Sequence, residues 1–242
     1  MIPLSLTEWA LAAAAVTVGA TLQGSIGFGL GLIAVPFLVL IDERLIPGPL
    51  LFASVALTLL LTHREWRSVR FKDLGWAISG RVLGIALAVL ALTSIPRDRI
   101  GLAFGVLILL MVILSASGLH LPPTRRVLFG AGTLSGFSGT AVSIGGPPMA
   151  LVYQRESGAR LRGTLSAFFV VGVSLSVVGL SLAGRFGREE LLLACSLLPG
   201  ILLGYLISRH TARLLDRGYT RSAVLVVSAA AGVVVILKQL WR

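Results

Sequence analysis

The chain has 242 residues, of which 56% are hydrophobic and 13% charged, and its mean hydropathy is +0.94. A composition this apolar excludes an ordinary soluble domain and predicts an all-α membrane protein, with residues 1–242 forming a single transmembrane domain. The net charge of +11 does not predict nucleic-acid binding, because the basic residues lie in short connections between apolar runs and not on one surface.

Apolar runs separated by charged residues predict about eight hydrophobic segments. In chain order they cover approximately residues 7–41, 45–62, 74–93, 100–118, 127–153, 161–183, 191–208 and 219–240. The first segment has 35 residues. A helix of that length exceeds one span of about 30 Å but is shorter than two spans and a turn.

The first segment contains a glycine-rich run where a spanning helix should be continuous. Residues 23–29 read QGSIGFG, and Pro36 follows. Backbone groups that glycine and proline free from helical hydrogen bonds are tolerated in a bilayer only beside protein or a water-filled cavity. We therefore expect this break to face the interior. Its candidate substrate-binding residues are Gln23, Gly24, Ser25, Gly27, Phe28 and Gly29, and Pro36 is a candidate structural break.

Arg81, in the third segment, is the only charged residue that we place well inside a segment. A charge within the membrane is costly and indicates function, in this case attraction of an anion. The alternative is that its side chain snorkels part of the way to the surface from a depth of about 12 Å. The acidic residues and histidines all fall at segment ends or in loops, so we expect no carboxylate or histidine proton relay at mid-depth.

The fifth segment repeats the motif of the first, 112 positions later. Thr21, Leu22, Gly24, Gly27 and Pro36 correspond to Thr133, Leu134, Gly136, Gly139 and Pro148. This register predicts two repeats, residues 1–120 and 121–242. The second break adds the candidate substrate-binding residues Ser135, Gly136, Ser138, Gly139, Thr140, Ser143, Gly145 and Gly146, with Pro147 and Pro148 as structural breaks.

Both breaks offer the chemistry of an anion site. Glycines let a solute approach backbone N–H groups, half-helix N-termini present the positive end of a dipole, and hydroxyl and amide side chains add neutral hydrogen bonds. We therefore expect the partners to be a small anionic substrate and the lipid bilayer. We predict no metal and no other cofactor, and the sequence leaves open a homo-oligomer. For any single glycine, close helix packing is the alternative.

Basic residues in short connections predict the sidedness of the protein. If the fifth segment enters and leaves on one side, the connections 63–72, 119–126, 154–162 and 209–221 are cytoplasmic. They then carry thirteen lysines and arginines against seven on the other side, whereas eight full crossings give ten against ten. We therefore expect segments 1 and 5 to be broken or re-entrant and the repeats to be inverted. Eight ordinary spans in two parallel repeats are the alternative.

At these motifs the chain resembles the TauE/SafE family of sulfite and organosulfonate exporter-like permeases. The resemblance rests on residues 23–29 with 32–36, and on residues 136–139 with 145–148. It implies a multi-pass permease of the bacterial cytoplasmic membrane that exports small sulfur-containing anions such as sulfite or sulfoacetate.

Two other functions compete with transport. Residues 136–139 read GFSG, which matches the GxSG of rhomboid intramembrane proteases and makes Ser138 a candidate nucleophile. That chemistry needs a histidine base. The only histidine after Ser138 is His210, at a predicted segment boundary, so we do not expect an enzyme. A membrane scaffold without transport is the second alternative.

Overall fold

The computed structural model describes residues 4–72, 74–94, 97–119, 121–156 and 158–215. Within these ranges the chain forms nine α-helices, two short 3-10 turns and no strand. The helices are α1 (Leu6–Ile26), α2 (Leu30–Ile41), α3 (Gly48–Arg64), α4 (Leu74–Ser94), α5 (Arg97–Ala116), α6 (Arg125–Val142), α7 (Gly146–Tyr153), α8 (Gly158–Leu182) and α9 (Arg188–Leu215). The eighth predicted segment, 219–240, lies outside the described residues.

Four helices in the described part of the chain are long and apolar enough to cross a membrane. They are Leu6–Ile26, Leu74–Ser94, Gly158–Leu182 and Arg188–Ala212. Large apolar side chains such as Leu90 and Val178 are exposed on their outer faces, whereas hydroxyl side chains such as Ser176 are buried inside. This distribution suits helices that meet lipid outside and one another inside.

Both segments that carry the repeated motif are broken, which confirms this part of the prediction. Three residues separate α1 from α2, and three separate α6 from α7. Gly27 and Gly29 in the first break have φ angles of 96° and 123°, and Ser143 in the second has 58°. These left-handed conformations cannot continue a right-handed helix and favour glycine.

Pro36 does not lie at a break, contrary to the prediction, whereas Pro147 and Pro148 directly follow the second one. Pro36 lies inside α2, which continues to Ile41. Pro147 and Pro148 lie in the first turn of α7. The fixed φ of proline is compatible with a helix, and its missing N–H is not needed in the first turn. The prolines therefore shape the helices that follow the breaks, while the residues of positive φ end the preceding ones.

The chain folds back at each break. A Cβ atom at Gly19 would lie 2.8 Å from the carbonyl oxygen of Leu30, and the Ser135 hydroxyl donates to the carbonyl of Gly145 at 2.6 Å. In a continuous helix each of these pairs would be about 15 Å apart or more, at roughly 1.5 Å per residue. Each motif is thus a turn between two helices of unequal length that contact each other.

Two parallel helix pairs join the first half of the chain to the second. In the α4–α6 pair, a Cβ atom at Gly132 would lie 2.1 Å from the carbonyl oxygen of Ala77, and one at Gly84 would lie 2.0 Å from that of Thr133. In the α1–α9 pair, Trp9 Nε1 donates to the carbonyl of Ser196 at 2.9 Å near one end. The glycines allow backbones to approach closely, as in other membrane helix pairs.

Helices α3 and α8 run antiparallel. A Cβ atom at Gly48, the first residue of α3, would lie 2.8 Å from the ring of Phe186, which follows α8. At the opposite end, Glu65 follows α3 and accepts from Arg162 near the start of α8 at 3.2 Å.

Connections from the two halves also contact each other at both ends of the protein. Arg70, after α3, forms an ion pair with Glu156, which precedes α8. Arg44, after α2, forms an ion pair with Glu189 at the start of α9, with an N–O distance of 3.1 Å. Each pair of connections therefore shares one end of the molecule.

Candidate functional site

The two breaks meet at a cavity between the halves of the chain. A Cβ atom at Gly31 would lie 2.0 Å from the carbonyl oxygen of Ser143, and one at Gly146 would lie 2.9 Å from Cβ of Phe28. Side chains at these glycines would push the breaks apart. The cavity has an accessible volume of about 40 Å³, which is room for a few water molecules or one small ion. Its polar lining residues are Gln23, Ser54, Thr58, Arg81 and Ser143.

Arg81 projects from the middle of α4 and is 1% exposed. Its Nη1 atom donates to the hydroxyl of Ser135 at 2.8 Å, and this hydroxyl donates in turn to the carbonyl of Gly145 at 2.6 Å. The guanidinium carbon lies 4.8 Å from the ring centroid of Phe168 and 5.5 Å from that of Phe169. Ser135 thus connects the charged group to the second break, and the two rings stabilise the cation through their faces.

Arg81 forms no ion pair with a carboxylate in the described part of the chain, and its Nε atom has no hydrogen-bond partner there. Burial of a charge without a counter-ion is costly even when aromatic rings are near. Since its side chain is buried, Arg81 does not snorkel to the surface, and the alternative drawn from its depth is wrong. An anion in the cavity would supply the opposite charge.

Two glycines make space for the guanidinium group. A Cβ atom at Gly172 of α8 would lie 1.6 Å from Nε of Arg81, and one at Gly139 would lie 3.3 Å from Nη2. Gly139 belongs to the predicted motif, but sequence reasoning missed Gly172, along with Phe168 and Phe169. These three residues lie in an apolar run. Its sequence pattern does not distinguish the positions that face the cavity from those that face lipid.

The structure divides the predicted site residues into two groups. Those that line the cavity are Gln23, Gly29, Arg81, Gly139, Ser143, Gly145, Gly146 and Pro147. Ser135 contacts Arg81 without lining the cavity itself, and Phe28 packs on Gly146. The other predicted residues, Gly24, Ser25, Gly27, Gly136, Ser138 and Thr140, do not line this cavity.

Several members of the second group have packing contacts. Gly24 faces Ser208 of α9, where a Cβ atom would lie 2.2 Å from its hydroxyl oxygen. Gly136 faces the backbone of Arg81, and the Thr140 hydroxyl lies 2.8 Å from that of Ser176 in α8. Close packing by small residues explains these positions.

The half-helix N-termini offer fewer free donors than the sequence suggests. The backbone N–H of Leu30, the first residue of α2, donates to Oε1 of Gln23 at 3.3 Å. In the first turn of α7, Pro147 and Pro148 have no N–H to offer. The first residues of α2 and α7 still line the cavity, and Arg81 is the only charged side chain among the described residues that do so.

Ser138 lacks the surroundings of a catalytic serine. Its hydroxyl donates to the carbonyl of Leu134 in its own helix at 2.8 Å, and it makes no hydrogen bond to either histidine of the described residues, His63 or His210. Nucleophilic catalysis requires a base in contact with the hydroxyl. The described part of the chain also contains no group of three metal-ligating side chains.

Long apolar helices around a cavity with a buried cation fit the class of helical membrane transporters. The family model of the sulfite exporter TauE/SafE matches residues 11–235. The chain therefore belongs to this transporter family. No curated protein and no solved structure matches it significantly.

Proposed function

We propose that the protein is a permease that exports a small anion, sulfite or an organosulfonate, across the bacterial cytoplasmic membrane. The observation that carries this proposal is the buried guanidinium of Arg81, which faces the cavity between the breaks and has no carboxylate partner among the described residues. An oxyanion fits such a group because its oxygens accept hydrogen bonds from the N–H fork. Membership of the TauE/SafE family supports the choice of a sulfur oxyanion.

Helix directions support two inverted repeats, residues 1–120 and 121–242. Helices α3 and α8 follow the broken segments of the first and second repeat, and they run antiparallel. Parallel repeats of ordinary spans would place these two equivalent helices in the same direction. The turns at both breaks supply the change of direction that inversion needs, as in other transporters with discontinuous helices.

Contacts between connections support the same sidedness. If all eight segments crossed fully, the connections that hold Arg70 and Glu156 would lie on opposite sides of the membrane, yet these two side chains form an ion pair. The same holds for the connections of Arg44 and Glu189. With re-entrant segments 1 and 5, the first pair lies on one side and the second on the other. The excess of basic residues assigns the side of Arg70 to the cytoplasm.

Flux into proteoliposomes tests the proposed function. The purified full chain should move sulfite or a sulfonate faster than sulfate or a carboxylate, and the assay should be run with and without a proton gradient. Empty liposomes and liposomes with the heat-denatured protein provide the background. A rate at background for every anion would contradict transport and favour the scaffold alternative.

A further inference from the structure

A second cluster of charged side chains lies beside the first break. Arg64 ends α3, Glu65 follows it, and Arg162 lies near the start of α8. The Nε atoms of Arg64 and Arg162 are 3.1 and 3.2 Å from the same carboxylate oxygen, Oε1 of Glu65. All three side chains are less than one fifth exposed. Two guanidinium groups thus converge on one oxyanion at the end of the α3–α8 pair.

The same guanidinium groups hold the end of α1. Nη2 of Arg64 donates to the carbonyl of Gly24, and Nη1 of Arg162 donates to that of Ser25 at 3.1 Å. Cations stabilise the last carbonyls of a helix, which have no helical donor. A Cβ atom at Gly27 would lie 3.1 Å from Cα of Arg162. The cluster therefore rests directly on the break.

The first break connects this cluster to the cavity. Gly24, Ser25 and Gly27 contact the cluster, whereas Gln23 and Gly29, in the same short stretch, line the cavity. Under the proposed topology, the cluster lies on the cytoplasmic side of the break, because α3 ends and α8 begins there. An anion that leaves the cytoplasm for the cavity meets these arginines first.

We propose that Arg64 and Arg162 form a second anion-binding site, which the carboxylate of Glu65 occupies when no substrate is bound. This inference rests on the proposed function. A sulfite or sulfonate group presents two or more oxygens to the arginines, as the carboxylate does, and replaces it there. Competition from Glu65 lowers the affinity of the arginines for the anion, so that the anion is released toward the cavity.

Calorimetric titration of sulfite into the detergent-purified full chain tests this site. Glu65→Gln preserves the shape of the side chain but removes the competing charge, so the variant should bind sulfite at one more site per chain than the wild type. Sulfite should bind this site about tenfold more tightly in the variant than in the wild type, a difference of about 1.4 kcal/mol, so the wild-type site stays mostly empty over the sulfite range that fills it in the variant. Glu65→Asp, which withdraws the carboxylate by one methylene, should show a smaller gain and serves if Glu65→Gln does not fold.

Glu156 provides a matched control. Its carboxylate also contacts two arginines, but the side chains of Arg70 and Arg160 are 36% and 55% exposed, so water screens their attraction for an anion. Glu156→Gln should therefore bind sulfite as the wild type does. Equal numbers of sites in Glu65→Gln and the wild type would overturn the inference, as would a gained site that survives the added substitution Arg162→Gln.

A double variant distinguishes failure of the second site from failure of the proposed function. Glu65→Gln combined with Arg81→Gln should lose sulfite binding in the cavity and keep the gained site. A gained site in a protein without anion flux would support the second site and refute the permease. Flux that depends on Arg81, without a gained site in Glu65→Gln, would support the permease and refute the second site.

Discussion

Arg81 is a buried cation without a carboxylate partner among the described residues. Removal of a guanidinium group from water costs several kcal/mol, and two aromatic faces with one hydroxyl recover only part of this. Such a residue is expected to be retained for function. Under the proposed function the substrate anion supplies the opposite charge, and it would bind and leave without displacing a carboxylate of the described residues from Arg81.

Gly172→Ala tests the fit of this side chain in the cavity. The added methyl group would lie 1.6 Å from Nε of Arg81, so the guanidinium group must move away from its position beside Ser135. We expect the dissociation constant for sulfite to rise about tenfold, equivalent to about 1.4 kcal/mol. The measurement is calorimetric titration of the purified protein.

Gly130→Ala is the control for this substitution, because a Cβ atom there would have nothing within 4 Å. If both variants bind sulfite with the wild-type dissociation constant, the position of the guanidinium group does not control binding.

The sequence predicts the buried charge of Arg81 but not the residues that surround it. Arg81 is conspicuous because it interrupts an apolar segment. The contacts of Gly172, Phe168 and Phe169 depend on which face of α8 turns inward. Apolar side chains occur on both the lipid-facing and the inward-facing sides of membrane helices, so their pattern does not identify the inner face.

Among the elements, the α4–α6 pair places Arg81 against the second break. Its close approach depends on glycines of both helices, and the backbone of Arg81 itself contacts Gly136, where a Cβ atom would lie 2.3 Å from the carbonyl oxygen. Since the pair is so tight, a change in the spacing of the two helices would also displace Ser135 relative to Arg81.

Gly84→Ala should therefore destabilise the protein. The added methyl group would lie 2.0 Å from the carbonyl oxygen of Thr133, a backbone atom that cannot rotate away. Overpacking of this kind costs about 1–3 kcal/mol, so we expect a lower thermal unfolding temperature in detergent. Gly75→Ala in the same helix has open space around its Cβ position and should unfold at the wild-type temperature. Equal temperatures for the two variants would refute the close contact.

The first break was predictable from its glycines, whereas the positive φ of the second belongs to Ser143, and Pro36 lies inside a helix and not at a break. Positive φ angles at Gly27 and Gly29 end α1 and delay α2, which is the conformational freedom that their sequence pattern indicates. Pro36 lies within a helix because its fixed φ is helical and loss of one hydrogen bond is tolerable there. Proline marks such a segment without fixing the residue at which the helix ends.

For the whole molecule, sidedness gives a prediction that distinguishes inverted repeats from eight full crossings. We expect cysteines introduced at Arg67 and Arg155, in a background where Cys195 is replaced by alanine, to react only from the cytoplasm. Cysteines at Arg44 and Arg188 should react with a membrane-impermeant maleimide added to intact cells. Labelling of Arg67→Cys and Arg155→Cys from opposite sides would contradict the inverted arrangement.

The sequence predicts the sidedness only as a statistical excess of basic residues. The ion pairs of Arg70 with Glu156 and of Arg44 with Glu189 add physical support, since paired side chains must lie on the same side. No local sequence pattern predicts these ion pairs, because the two partners of each pair lie in different halves of the chain. Long-range pairing depends on how the two halves pack, which the charge count alone does not specify.

Sulfite flux in proteoliposomes that contain the Arg81→Gln variant tests whether transport requires the buried cation. Loss of the buried cation should lower the flux about 100-fold, since interactions of buried charges are commonly worth 2–5 kcal/mol. Arg125→Gln is the control, because Arg125 also lies over an aromatic ring, that of Trp76, but is exposed. We expect wild-type flux for Arg125→Gln and near-background flux for Arg81→Gln. Wild-type flux in both variants would contradict it.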